Sequence, residues 1–180
     1  NTLFVAASKL YIGTSEGITT LDIQTLTIDK QEPQNTLKTP SPVSSFYQIG
    51  ESVFATTINH GVFRVEGRTL IPIGEEKEVV ASFFDSKHQA LFLGLKFDLE
   101  IHSLLSNQSI AKHGIKGTRF FQSVENQVYW VGADILNEGG GIYAWDGQQI
   151  EKLNQKYGIH NAELYSLAYD AKRKFLYVGS

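Results

Sequence analysis

The sequence contains no cysteine, no methionine, only four prolines in 180 residues and no long apolar run. Without cysteine there is no disulfide framework, no thiolate zinc site and no cysteine nucleophile. No apolar stretch approaches the roughly 18 residues of a membrane-spanning helix. Charge of one sign is also scarce: 16 Lys and Arg against 19 Asp and Glu leave a net charge of −3. That balance argues against a nucleic-acid or anionic-membrane surface as the main partner. Apolar residues make up 42% and aromatic residues 12%, enough for a packed core and unlike a disordered chain. Because the chain opens at Asn1 and breaks off inside Phe175-Leu176-Tyr177-Val178-Gly179-Ser180, it reads as a fragment of a longer protein.

One pattern recurs. An apolar, aromatic-containing triplet is followed by a small residue, a turn and a second apolar run. The copies begin at Leu10-Tyr11-Ile12-Gly13, Val53-Phe54-Ala55-Thr56, Leu91-Phe92-Leu93-Gly94, Val128-Tyr129-Trp130-Val131-Gly132 and Leu176-Tyr177-Val178-Gly179. Their aromatics, Tyr11, Phe54, Phe92, Tyr129 and Tyr177, are 43, 38, 37 and 48 residues apart. Short β-runs repeating at this length are the mark of β-propeller blades. No window keeps apolar residues at helical spacing for three turns. The expected fold is therefore all-β: a propeller of four-stranded antiparallel blades, here an arc of about four and a half.

The strands of a blade are called a to d in chain order. In the third copy Val79 to Phe84 reads as a, Ala90 to Leu93 as b, Leu99 to Leu104 as c and Ser109 to Lys112 as d. Strand b is a continuous apolar run, as expected where neighbouring blades cover both faces. The d strands, Arg68 to Ile73 and Gln148 to Leu153, are more polar, and Glu66-Gly67 and Asp146-Gly147 supply the tight c–d turns. The expected blades span 2–32, 43–74, 79–113 and 118–154, with strands a and b of a fifth at 163–180, all in one domain. Gln31 to Pro42 holds three of the four prolines and reads as a long connection between the first two blades. An interdomain linker is the alternative.

Tyr157-Gly158-Ile159-His160-Asn161-Ala162-Glu163-Leu164-Tyr165-Ser166-Leu167-Ala168-Tyr169-Asp170, followed by Phe175 to Ser180, resembles the two-component-regulator propeller repeat. Leu10 to Thr14 with Gly17-Ile18, and Trp130-Val131-Gly132 with Gly139 to Asp146, are similar to it as well. In the second copy Thr56 stands where the pattern has glycine, and the third lacks the glycine before strand c. The resemblance implies the extracytoplasmic, periplasmic sensor region of a hybrid histidine kinase or a related regulator. It also implies a glycan or other small ligand, and as partners further blades, downstream domains and a second copy of the chain. No cofactor is expected. The kinase would lie outside this sequence.

Other motifs carry less. Gly13-Thr14-Ser15-Glu16-Gly17 fits the nucleophile-elbow pattern, but that elbow needs a helix after the strand, and here a strand follows. His60, His88, His102, His113 and His160 lack zinc-site spacing, so no metal is expected. Gly139-Gly140-Gly141 leads into a strand, not a phosphate-binding helix, and Asn107-Gln108-Ser109 is only a formal glycosylation sequon. Trp130 lies in strand b and reads as core. Trp145 precedes a turn and is a candidate surface for sugar stacking.

Because strands alternate in direction, the b–c turns and d–a connections share one rim. That rim would collect Glu16, Asn59, His60, Asp134, Asn137, Glu138, His160 and Asn161. Polar loops on a rigid scaffold are where binding usually resides. The candidate binding residues are Asn59, His60, Asp134, Asn137, Glu138, Trp145, His160 and Asn161. Two other functions stay open. One is a propeller enzyme on polysaccharide, a lyase or glycosidase, with Asp134 and Glu138 as its carboxylate pair. The other is a scaffold for protein partners, marked by an apolar patch on one rim.

Overall fold

A computed structural model describes residues 2–25, 36–74, 77–103, 108–134, 140–160 and 164–180. Among them there is no helix; the secondary structure is strand and turn. Among the described residues no helix is long and apolar enough to cross a membrane. Contacts divide the chain into two compact units, Asn1–Val79 and Val80–Ser180.

The first unit holds two four-stranded antiparallel meanders. One is β1 (Thr2–Ala6), β2 (Lys9–Gly13), β3 (Gly17–Asp22) and β4 (Thr36–Lys38). The other is β5 (Val43–Ile49), β6 (Ser52–Thr57), β7 (Gly61–Glu66) and β8 (Thr69–Ile73). They pack face to face around Ala6, Ile18, Val43, Phe46, Val53 and Ala55. Phe46 lies 6.2 Å from Phe4 and 6.0 Å from Tyr11 between ring centroids. The glycine ending β2 has a reason: a Cβ on Gly13 would lie 2.8 Å from a Val43 methyl of the next sheet.

The expectation for the end of the first blade is corrected. Its fourth strand, β4, lies inside the stretch read as a connection, pairing Ile18 with Leu37 and Thr19 with Thr36. Pro33 and Pro40 flank Thr36-Leu37-Lys38 without interrupting it, and Leu37 packs against the core. Three residues with one apolar side chain are too short for a periodic signal.

The second unit starts with β9 (Val79–Asp85), β10 (Ala90–Leu95), β11 (Leu99–Ser103) and β12 (Gln108–His113). Next come β13 (Ile115–Val124), β14 (Gln127–Asp134), β15 (Gly140–Trp145) and β16 (Ile150–Lys152). A two-stranded sheet, β17 (Ser166–Asp170) with β18 (Phe175–Gly179), completes the described residues. The expected c–d turns are present, with Gly67 at φ +56° and Gly147 at +101°. β10 is buried from Ala90 to Gly94, as the apolar run predicts.

Aromatic rings dominate the core of this unit. Phe92 lies 5.9 Å from Trp130 and 5.3 Å from Trp145, and Trp130 stacks on Tyr143 at 5.8 Å. Trp130 is fully buried, as read from the sequence. Ile142, Ala144 and Leu153 form a further cluster, covered by Leu164 and by Leu167, Leu176 and Val178 of the fifth sheet.

Candidate functional site

In the first unit, backbone hydrogen bonds tie two b–c turns to the d–a connection between them. In the first turn Thr14 N–H donates to Gly17 O at 2.8 Å, and Glu16 N–H to Thr14 Oγ1 at 3.1 Å. This is a strand-to-strand hairpin, so Ser15 does not stand on a nucleophile elbow. Val43 N–H reaches Thr14 O, and Ile58 N–H reaches Pro42 O, both at 3.1 Å. Asn59 N–H donates to Ser41 Oγ at 3.3 Å. Thr57 Oγ1 donates to Gly61 O at 3.1 Å and closes the second turn. Glu16 and Asn59 are both exposed on this hydrogen-bonded rim. His60 is half-buried beside them, and its Nδ1 is buried without a hydrogen-bond partner. Of the expected residues, Asn59 and His60 are the pair that the first unit brings together.

In the second unit Asp134 ends β14. Asn137, Glu138 and Asn161 lie outside the described residues, and of the Asp134 side chain nothing is described. His160 is exposed in the connection after β16. That connection is held by Asn154. Its Oδ1 accepts Ile142 N–H at 2.9 Å, and its Nδ2 donates to Gly140 O at 3.0 Å.

Trp145 requires a correction. It is only 2% exposed and is enclosed by Phe92 and the edge of His88, whose centroid is 5.0 Å away. Side chains two apart on a strand share a face. Tyr143 and Trp145 therefore enter the core together, and no sugar can stack on either face of the indole.

The sequence reading missed an exposed aromatic on the same class of turn. The b–c turn of the third blade, closed by Leu95 N–H on Asp98 O at 2.8 Å, carries Phe97 at its tip, 55% exposed. The ammonium groups of Lys96 and Lys116 lie 5.5 and 5.8 Å from its ring centroid. Such cations over a ring face attract the aromatic quadrupole. The available signal was an aromatic inside a charged turn, Lys96-Phe97-Asp98, out of phase with the strand alternation. Beside it Lys112 Nζ sits 3.3 Å from Asp98 and 3.6 Å from the buried Glu100, whose other oxygen meets His102 Nε2 at 3.0 Å. Its hydrogen bond and charge attraction with Asp98, and then the charge of Glu100, hold the Lys112 pKa above the ordinary lysine value. Among the described residues no cluster of three or more His, Asp or Glu could hold a metal ion.

Similarity to known structures settles the architecture. The chain superposes on the extracellular domain of the hybrid two-component system BT4673 from B. thetaiotaomicron with a TM-score of 0.67, at 16% identity. The fold is a β-propeller. For the extracellular domain of BT3049 from the same organism the TM-score is 0.60 at 15% identity. Each match covers 98% of this chain and 25% of the other. The N-terminal domain of Nup159 gives 0.60 at 15% identity, over 93% of this chain and 49% of that one. The chain thus spans half or less of each of these three structures. No protein-family model and no curated protein matches the sequence. The propeller therefore comprises four complete blades and strands a and b of a fifth among the described residues.

Proposed function

We propose that this propeller is the ligand-sensing region of an extracytoplasmic bacterial two-component sensor, and that it catalyses no reaction itself. One observation carries the reading. The repeat that resembles two-component regulators lies on the strands of a fold shared with the extracellular domains of two hybrid two-component systems. The ligand would bind on the rim of b–c turns and d–a connections. Asn59 and His60 would serve such a rim in the first unit, and Asp134, Asn137, Glu138, His160 and Asn161 are the candidates on the same class of loops in the second. Phe97 adds an exposed ring of the kind that stacks on sugars. A glycan is the ligand class to test first. Further blades, downstream domains and a second copy of the chain are the partners through which a rigid-body or pairing change would reach a kinase.

The test is calorimetric titration of the chain with a panel of neutral and acidic oligosaccharides. Binding of at least one, weakened about tenfold by Asn59→Ala or Phe97→Ala, is the expected result. Turnover of a bound glycan would overturn the non-catalytic reading. Saturable binding untouched by both substitutions would move the site off this rim.

A further inference from the structure

β13 is built unlike the other strands that open a blade. It runs for ten residues, Ile115–Val124, and its pairing with β14 slips twice. Lys116 faces Ala133, Arg119 faces Val131 and Gln122 faces Tyr129. Gly117 and Thr118 therefore share Gly132 as their opposite, and Phe120 and Phe121 share Trp130. Each slip is a β-bulge of one extra residue. In both, the first residue of the pair is left-handed: Gly117 has φ +63° and Phe120 has φ +53°.

Glycine is the ordinary occupant of such a position, because a Cβ there crowds the backbone. β13 uses glycine at its first bulge and a bulky ring at its second. Among the described residues the other non-glycine residues with positive φ, Ala7, Gln89, Glu125 and Lys174, all lie in a–b turns. Core packing does not ask for the ring. Its neighbour Phe121 fills the core, with ring centroids 5.8 Å from Phe83, 5.6 Å from Phe92 and 6.2 Å from Trp130. Phe120 stays 47% exposed, although β13 packs against β10 on one side and β17 on the other. A bulge also guards a strand edge against unwanted pairing, but glycine would serve that purpose equally well. A strained residue that the fold does not need points to function.

Charge says what meets it. Lys116 and Arg119 are exposed, and they oppose residues two apart on β14, so the first bulge sets both cations on one face. Lys96 adds a third, its ammonium converging with that of Lys116 on the exposed Phe97. Among the described residues none of these three cations forms an ion pair. The acid of that turn, Asp98, is engaged by Lys112 at 3.3 Å.

We propose that the bulged strand β13 binds an acidic oligosaccharide, one whose sugars carry carboxylate or sulfate groups. Phe120 supplies a ring for the apolar face of a sugar, and Lys96, Lys116 and Arg119 supply donors for its acidic groups. Lys116 and Phe120 are four residues apart, at most about 13 Å along an extended strand, so several linked sugars are needed to meet both. The inference rests on the glycan reading above and narrows it.

The probes are tetragalacturonate, a sulfated chondroitin tetrasaccharide and carboxyl-reduced, neutral tetragalacturonate, each titrated into the chain by calorimetry. At least one acidic probe should bind, and the neutral one at least about tenfold more weakly. Which acidic probe binds distinguishes carboxylate from sulfate. Phe120→Gly should weaken acidic binding about tenfold and melt no lower than the parent chain, because losing the ring also relieves the left-handed strain. Lys116→Gln with Arg119→Gln should weaken acidic binding, flatten its salt dependence and leave melting unchanged. Three results would overturn the inference and leave the glycan reading standing: acidic binding untouched by these substitutions, equal binding of the neutral probe, or equal binding of hexaglutamate, which has the charge without the sugar. A lower melting temperature with unchanged binding in Phe120→Gly would make the ring structural. Failure of every sugar to bind, the neutral ones included, would overturn both readings.

Discussion

Four aspartates at strand ends perform one task. Asp22, Asp85, Asp146 and Asp170 each accept backbone N–H groups two and three residues on, with distances of 2.8 to 3.0 Å at Asp22, Asp146 and Asp170. At Asp22, Asp85 and Asp170 the chain turns without a glycine, whereas the Asp146 turn also uses Gly147 at φ +101°. Hydrogen bonding to the charged form lowers the carboxyl pKa: the Thr25 N–H leads at Asp22, the Gln149 N–H at Asp146 and the Arg173 N–H at Asp170. A pKa lower in the folded state stabilises the fold above the unfolded value, about 4 for aspartate, and that support is lost as pH falls through the folded value. The urea midpoint should therefore drop on acidification below about pH 4, and the drop should be shallower in D22N/D146N/D170N, which keeps an acceptor but no charge. An unchanged slope would remove these turns from the acid response. Trp145 makes the residue's opposite case. Its indole is core, so Trp145→Ala should cost about 3–5 kcal/mol in a denaturant titration and leave glycan binding to the folded fraction unchanged.

Strands were legible where burial repeated. β10 and β14 announced themselves because an apolar run bounded by turn residues has few other readings. β4 did not, because its position depends on Ile18 and Thr19 being there to pair with it. At Gly13 and Gly94 the small residue ending strand b is required because the next sheet comes close. A Cβ at Gly94 would sit 2.6 Å from the Thr118 carbonyl oxygen. Gly94→Ala should therefore destabilise by about 1–3 kcal/mol, since backbone must move. Gly67→Ala meets open space and should cost about 1 kcal/mol, from its left-handed turn conformation alone. Equal thermal shifts for the two variants would contradict this account of the repeat's glycine.

The molecule has separate cores. Ala6, Val43 and Phe46 serve the first unit, and Phe92, Trp130 and Trp145 the second. Both tryptophans lie in the second unit, so indole fluorescence reports on that unit and far-ultraviolet circular dichroism on both. In Trp145→Ala, fluorescence of Trp130 should give a lower urea midpoint than circular dichroism. Coincident transitions in the variant would show that the units unfold as one.

The sequence alone determined that this is a repeated all-β chain. Period, aromatic triplets and turn dipeptides are local properties, set by pleat geometry and by the φ that a turn requires. It also placed Asn59 and His60 on one polar turn. What the tertiary structure decided is which face each side chain turns to, and what meets it there. Trp145 enters the core because Phe92 of the preceding sheet faces it, and Phe97 meets a second lysine because β13 brings Lys116 beside it. Thr36-Leu37-Lys38 is a strand because β3 offers an edge. Such contacts join residues distant along the chain, and no local pattern records them, since the same few residues would suit a loop equally well without the neighbour.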